Sequence, residues 1–591
     1  MIRSLKVIVF LSFISSTLYC LPQQGDGIVI SINDRKISLR EFQSRLNDIP
    51  LITDKPLPEL KEDLACTLIA EAILAFEAGK ESPDKTGKAK MIIDQYWKEA
   101  LYEEWMNSEI RKKITITDEE IISAYDKLKE QRLVEYWKVN SPDEADLLIA
   151  EIQNGKSILI NSETKLLEYA ESLEEVEDAV YNLQIGETSK PVLVDSLYYI
   201  FRLKKKIPHP DYPQNDMQYW KGVIENRIRE RKERKMLDDA LLILMKEKDF
   251  TVNRDSYNYL YEQLVPIVYK IDKREAEEPE IIQNEINIKL TSGENKFNQP
   301  LLKFKDGNSW TTSDFWKMLA VSPYPLNYKN PDDFRIGLMD VIKKTVLLNS
   351  VAEDAHKKNY DNSDYVKSET EMWKTNFLAS ELINNYRVSI KITNEELTSR
   401  YDSLKGNYIK PEMRRIIPII TKNKKLAEEI YKRIIDGEDF ISLAEKSGQN
   451  INMIDKDTPG IFITGNEWGI IGKTVFGMSV GKISGIIKAD DSTYSIVKLM
   501  EIREASPFLF EEIRDRLQAD YENSILQREI NKLLEAKAGN YKISINRNNM
   551  AKAEYSGGSM LVKKTHFPLR NAVPSFPLFN HKVKWYSSLG K

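Results

Sequence analysis

One long block of this sequence recurs, and that recurrence limits the fold more than any other feature. Ile116-Thr117-Asp118-Glu119-Glu120, followed by Tyr125, returns as Ile392-Thr393-Asn394-Glu395-Glu396, followed by Tyr401, 276 residues on. Trp97-Lys98 and Trp373-Lys374 keep that spacing, and Ser38 to Phe42 is echoed by Thr311 to Phe315 at 273. So small a drift over most of a domain implies tandem copies of one folded unit. The period lies far outside the range of solenoid repeats. With 591 residues, the chain has room for two large modules, each with a sizeable core.

The 41% apolar and 30% charged content fits a soluble, helix-rich protein with a heavily charged surface. Acids and bases nearly balance, giving a net charge of -5, so no global field favours nucleic acid as a partner. The first twenty residues differ from the rest. Arg3 and Lys6 precede the apolar run Val7 to Ile14 and the small polar residues Ser15, Ser16 and Thr17. That layout predicts a secretory signal over residues 1–20, too short to span a bilayer. Cys20 at its end is a candidate lipid-attachment site, although Tyr19 stands where such processing prefers a small residue. Soluble and lipid-anchored forms both stay open. Cys66 lies in the apolar helical stretch Leu64 to Ile69 and reads as a core residue.

Each half opens with a strand, a turn and a capped helix. In the first half these are Ile28 to Ile32, Asn33-Asp34, and the capping box Ser38-x-x-Glu41; the second offers Thr311-x-x-Asp314. Long amphipathic helices are expected around Glu59–Gly79 and Ala89–Lys113, matched by Phe334–Lys358 and Asp364–Val388. Thr117-x-x-Glu120 and Thr393-x-x-Glu396 cap a further helix in each half. The acidic pairs there favour the helix dipole and are not catalytic. The pattern then turns β-rich, over Val134–Leu203 and over Met413–Glu501, before a charged helix and a short closing strand.

The fold class this predicts is α+β: two tandem modules, each a helical domain with a smaller α/β domain inserted. The boundaries are a signal at 1–20; a first helical domain at 21–132 plus 208–255 around an insert at 133–207; and a partly helical, acidic linker at 256–298. A second helical domain follows at 299–411 plus 505–546, around an insert at 412–504. The last segment, 547–591, carries eight Lys/Arg against one acid and reads as a disordered tail or a basic membrane-surface anchor.

The second insert has a distinctive order of motifs. Ala427-Glu428-Glu429-Ile430 leads through Gly437-Glu438-Asp439-Phe440 to Leu443-Ala444. Pro459-Gly460-Ile461-Phe462, Val475-Phe476-Gly477, Gly481-Lys482-Ile483-Ser484 and Tyr494 to Leu499 follow. This order resembles the parvulin (PpiC-type) rotamase domain. The first insert is a shorter version, with Ala145, Gly186-Glu187-Thr188-Ser189 and Tyr198 to Leu203. It has lost about thirteen residues where the second has its Pro-Gly bend and aromatic cluster. With its flanking helices, each half resembles a SurA/PrsA-type extracytoplasmic foldase.

The resemblance implies an apolar cleft with two histidines at its floor, one on the opening strand and one on the closing strand. The chain has four histidines, His209, His356, His566 and His581, and none falls within either insert. The family-His positions carry Tyr136 and Tyr199 in the first insert, and Pro418 (within one residue of register) and Ser495 in the second. Isomerase activity is therefore expected to be weak or absent. Phe462, Trp468, Ile471, Phe476 and Ser495 are the candidate peptide-cleft residues of the second insert, the aromatics serving either as cleft or as core. Gly469 to Thr474 resembles the end of a phosphate-binding loop, but the leading glycine would fall at Glu467. No metal site or cofactor is implied.

The function expected is that of an exported, ATP-independent chaperone whose partners are unfolded or nascent exported polypeptides. Membrane contact would come only through a lipidated Cys20 or the basic tail. An active isomerase and an envelope assembly factor are the alternatives.

Overall fold

The computed structural model describes residues 27–589 except 48, 50–54, 82–87, 155–160, 170–171, 195–196, 211–216, 271–297, 322–325, 327–329, 447–452, 456–457, 466, 491 and 556–578. The signal, Cys20 and most of the expected linker and tail lie outside the described residues. The first half runs β1 (Ile28–Ile32), β2 (Arg35–Ser38), α1 (Leu39–Asn47), α2 (Leu57–Glu81), α3 (Lys88–Trp105) and α4 (Asp118–Leu128). Its inserted part is β3 (Glu130–Val139), α5 (Pro142–Gln153), β4 (Glu163–Leu167), α6 (Glu174–Tyr181), β5 (Val192–Val194) and β6 (Leu197–Pro208). Then come α7 (Met217–Glu247), β7 (Phe250–Val252) and α8 (Arg254–Lys270).

The second half repeats the order with β8 (Pro300–Phe304), β9 (Ser309–Thr311), α9 (Thr312–Ala320), α10 (Pro331–Lys357), α11 (Asp364–Ser389) and α12 (Asn394–Leu404). Its inserted part contains β10 (Ile409–Lys410), β11 (Met413–Thr421), α13 (Lys424–Ile435) and α14 (Phe440–Lys446), then β12 (Met453–Asp455), β13 (Thr458–Pro459), β14 (Ile461–Thr464), α15 (Gly469–Val475), β15 (Ile487–Lys488) and β16 (Tyr494–Arg503). The chain continues through β17 (Ser506–Pro507), α16 (Phe510–Lys537), β18 (Ile543–Ile545), α17 (Arg547–Ala551) and α18 (Lys584–Ser587). It divides into two compact units, one of residues 1–382 with 534–591 and the other of residues 383–533.

Local chemistry sets the helix starts. Thr117, Thr311 and Thr393 each accept the amide of the residue three on, while Glu120, Asp314 and Glu396 return a carboxylate to the cap amide. Such a cap is worth about 1 kcal/mol. Ser38 forms only half of its expected box: its hydroxyl accepts the Glu41 amide, but the Glu41 carboxylate turns inward to a buried pair with Arg35. A buried guanidinium left without a counter-ion would cost more than a lost cap.

In the first unit, helices from both halves share cores. Ala100, Leu101 and Trp105 of α3 pack with Leu237 and Leu241 of α7 and with Leu347, Val351 and Ala355 of α10. Ile92 and Tyr96 meet Met372 and Trp373 of α11. The closing strands also cross over. β7 pairs with β8, completing the second half's opening sheet, while β18 pairs with β1 through Ile30–Ile545 and Ile32–Ile543. The two helical domains expected at 21–132 plus 208–255 and 299–411 plus 505–546 are therefore not separately closed. Each sheet edge takes its last strand from the other half, and that exchange satisfies the edge's free amides and carbonyls.

The expected linker at 256–298 begins inside α8. This helix buries Leu260, Tyr261, Leu264 and Ile267 against β8, α9 and α10. That apolar spacing is helical, so residues 256–270 are core, not connector. The tail expected at 547–591 also differs where it is described. Phe579, Trp585 and Tyr586 are buried, because three aromatics have more to gain from apolar contact than the flanking lysines lose.

Candidate functional site

The second unit holds a four-stranded antiparallel sheet in the order β14-β11-β16-β15. Alternation along the strands gives it two covered faces. Ile417, Ile419 and Ile496 lie under α13 and α14, packed on Ile430, Phe440 and Leu443. Ile416, Val497, Leu499 and Ile463 lie on the other face, against Ile471 and Val475 of α15. Pro418 stands opposite Val497 and Ser495 opposite Ile420, so both family-His positions belong to this second face.

Pro418 is tolerated in a central strand for a local reason. Val497 directs its N–H and C=O to the turn at Ser484 (2.9 and 2.8 Å), so its partner Pro418 faces away from β16. The β14 ladder ends at Ile416, so at Pro418 no second neighbour needs an amide. Ser495 is 1% exposed, and its hydroxyl has no hydrogen-bond partner. The floor of this face thus carries a ring with no titrating group and a buried hydroxyl in place of two imidazoles.

The candidate cleft residues separate. Ile471, Phe476 and Ser495 belong to one face. Phe476 is held by Arg414, whose guanidinium carbon lies 4.7 Å from the ring centre and whose Nη1 donates to the carbonyls of Val475 (2.7 Å) and Met478 (2.9 Å). Phe462 is on the opposite face, because Ile461 and Ile463 on either side of it point into the Ile416 cluster. It pairs with Arg415 and is covered by Arg503 at 3.8 Å. Trp468 caps α15 in the left-handed region (φ +61°) and is 40% exposed. The turn before it is tight: a Cβ on Gly472 would sit 2.2 Å from the Glu467 carbonyl oxygen. Arg414 and Arg503 were not singled out from the sequence; their only signal was a basic residue near the end of each central strand.

The first unit carries the sheet β4-β3-β6-β5. Val134, Phe201 and Leu203 share one face with Val176 and Val180 of α6, while Trp137, Val139 and Ile200 face α5. Tyr136 and Tyr199 lie on the first of these faces with ring centres 6.1 Å apart, and Phe201 lies 6.0 Å from Tyr136. The Tyr136 hydroxyl donates to Glu163, whose carboxylate also holds Lys138 at 2.8 Å. The hydrogen bond to Glu163 raises the Tyr136 phenol further above its ordinary range, so it stays protonated. The two family-His positions are thus side by side but filled by stacked rings.

Both inserts use the G-x-x-S turn identically. Gly186 (φ +90°) and Gly481 (φ +82°) supply the left-handed bend, and their amides bond Leu203 and Leu499. Ser189 and Ser484 then accept the amides of Phe201 and Val497 at 3.0 and 2.9 Å, fastening the closing strand. His209 lies 3.3 Å from Glu168 and edge-on to Trp220; His356 is on α10, and His581 meets Asp63 of α2. None reaches either floor, and His566 lies outside the described residues. Among the described residues no group of three His, Cys, Asp or Glu is placed to hold a metal ion, and no helix is long and apolar enough to cross a membrane.

Residues 392–515 match the PPIC-type PPIASE domain. Foldase protein PrsA of Caldanaerobacter subterraneus subsp. tengcongensis is 28% identical over 199 residues, covering 32% of this chain and 61% of the relative. A parvulin-like PPIase of Rickettsia felis is 27% identical over 183 residues, covering 29% and 62%. The chain therefore spans less than two-thirds of the length of these curated relatives. A solved SurA-like chaperone of Campylobacter jejuni aligns at 19% identity over 37% of this chain and 86% of its own, with a TM-score of 0.22, too low to add to the fold argument. Sheet, turn and match define a PPIC-type domain in the second unit. The chain that carries it is similar over part of its length to foldase protein PrsA and to a parvulin-like PPIase.

Proposed function

We propose that this chain is an exported, ATP-independent chaperone of the cell envelope, built from two tandem SurA/PrsA-type modules, that binds unfolded or extended polypeptides. Its inserts act as peptide-binding domains and not as isomerases. The observation that carries this reading is the pair of retained sheets whose family-His positions hold Tyr136 with Tyr199 and Pro418 with Ser495. Isomerisation must lower a barrier of about 18–20 kcal/mol, and neither floor offers the imidazoles associated with that task.

The test is suppression of aggregation of a chemically denatured protein, compared with an inert protein of similar charge. Suppression at near-stoichiometric ratios is expected, with a protease-coupled proline-peptide rate at background. No suppression and no binding of unfolded peptide would favour an envelope assembly factor that uses the inserts as rigid interaction domains. One observation favours the isomerase alternative: the unpartnered Ser495 hydroxyl on the floor of the second insert. A proline-peptide rate above background that Ser495→Ala removes would establish it.

A further inference from the structure

The segment Phe579–Leu589 lies on α2, and the way it is held is that of a bound peptide. Its main chain is read directly. The Phe579 amide donates to the Thr67 hydroxyl at 2.8 Å and the His581 amide donates to Asp63 at 2.9 Å. The Asn580 carbonyl faces the Cys66 thiol at 3.8 Å. Aromatic side chains anchor it, with Phe579, Trp585 and Tyr586 all buried and the Tyr586 hydroxyl donating to Glu62 at 2.6 Å. Charges match along the edge, where Lys582 lies 3.4 Å from Glu59 and the His581 ring lies 2.7 Å from Asp63. Main-chain bonds with a few side-chain anchors are how proteins hold peptide segments of varied sequence, and here two of the anchors, Trp585 and Tyr586, sit on the short helix α18.

The second half shows that this groove did not have to be built this way. There the corresponding helix is α10, with Phe334 and Leu338 buried as Leu60 and Leu64 are in α2. Its groove is filled by α8, which follows β7 directly and sends the Tyr261 hydroxyl to the Pro331 carbonyl at 2.9 Å. In that register Asp63 and Thr67 stand where α10 has Gly337 and Val341. The second groove is therefore apolar and closed by its neighbour in sequence. The first has a carboxylate (fully buried) and a hydroxyl facing a backbone; α17 takes one end of it, with Arg547 on Glu62 at 2.9 Å and Lys61 on the Ala551 carbonyl at 3.0 Å, and the rest is filled only after residues 556–578. Both groups keep partners of their own, Asp63 with Lys55 at 2.5 Å and Thr67 with the Asp63 carbonyl at 2.8 Å, so neither is stranded when a main chain leaves.

We propose that the groove along α2 is a binding site for polypeptide segments bearing aromatic and basic side chains, and that Phe579–Leu589, a turn followed by the short helix α18, is its resident occupant, displaced by client segments. The displacement rests on the chaperone reading above; the occupancy does not. Removal of the segment exposes Thr67, Asp63 and Cys66 together, so the thiol reports directly on the state of the groove.

The experiment uses the full chain with Cys20→Ser, leaving Cys66 as the sole thiol. It is compared with Trp585→Ala/Tyr586→Ala, with Lys582→Glu, and with a chain ending at Tyr555. The probes are a thiol reagent, a synthetic peptide of residues 579–591, and a reduced, carboxymethylated protein as permanently unfolded client. Cys66 should be modified at least ten-fold faster in the double variant and the shortened chain, and severalfold faster in Lys582→Glu, whose exposed side chain leaves the core intact. Peptide added in trans should restore protection. The unfolded client should bind severalfold more tightly once the segment is gone, and peptide should compete with it. Failure of the peptide to protect Cys66, or client affinity indifferent to both segment and peptide, overturns the proposal. So does loss of cooperative unfolding in the shortened chain, which would make the segment part of the core. If no form binds client while peptide still protects Cys66, the chaperone reading and displacement fall but occupancy stands.

Discussion

The two inserts share a sheet order and a strand clamp, yet their floors are built in opposite ways. In the first, the floor has been filled: Tyr136, Tyr199 and Phe201 stack across it, with Glu163 and Lys138 over Tyr136. In the second, the wall survives through Phe476 under Arg414, and the floor carries Pro418 and the unpartnered Ser495. The scaffold features common to both are those that hold β6 or β16 in register. The features that differ are those a substrate would touch. The strand clamp and the floor therefore depend on separable residues.

The largest effect should fall on the second insert alone. Gly472→Ala would place a Cβ 2.2 Å from a backbone oxygen, and the turn has no flexible side chain there to yield. A loss of about 2–4 kcal/mol is expected, read as faster amide exchange across residues 392–515 with the first insert unchanged. Equal losses in both inserts would mean that they unfold as one. Ser189→Ala and Ser484→Ala should each cost about 1–3 kcal/mol, because a buried strand amide loses its acceptor. Unequal costs in urea unfolding would show that the clamp matters more where the cleft wall remains. Gly186→Ala and Gly481→Ala meet no neighbouring atom, so only backbone strain of about 1–2 kcal/mol should appear, alike in both.

Acid should distinguish the halves again. Burial alone would raise the Glu77 carboxyl, but hydrogen bonds from Lys80, Tyr541 and Lys537 outweigh it and hold the group at about 2. A depressed carboxyl stabilises the fold above the ordinary range, and that stabilisation is lost as pH falls from about 4 towards 2. At this place along α10 stands Val351, buried and apolar. Amide protection of Ile543–Ile545 should therefore fall with acid before that of Pro300–Phe304 does. Glu163→Gln, which weakens an exposed ion pair with Lys138 and leaves an amide oxygen to accept the exposed Tyr136 hydroxyl, should leave the melting temperature of the first insert unchanged within error.

What could be read from the sequence was what is decided locally. The three threonine caps, the long helices and the two G-x-x-S turns depend on residues three or four apart, and they stand as the spacing indicated. Features decided by distant partners could not be read. Nothing near Phe250 or Ile543 shows that each pairs with the other half. Nothing near Glu41 shows that Arg35 has more need of its carboxylate than the helix start has. Phe462 was within reach: strand alternation separates it from Ile461 and Ile463, but the side it takes is set by its partner Arg415, just before the bulge in β11. The aromatic spacing in 579–589 was visible, but not the acidic helix that receives it.

The crossing of β18 onto β1 also sets an order in time. In a chain that emerges N-terminus first, the hairpin of Ile28–Ser38 appears at the outset and waits through more than 500 residues for its third strand. Closing so long a loop is slow compared with local helix formation. The opening sheet is therefore completed only when β18 has been made. A chain cut short anywhere before Ile543 would leave the edge of β1 unpaired from Ile30 to Ile32, open to pairing with another strand.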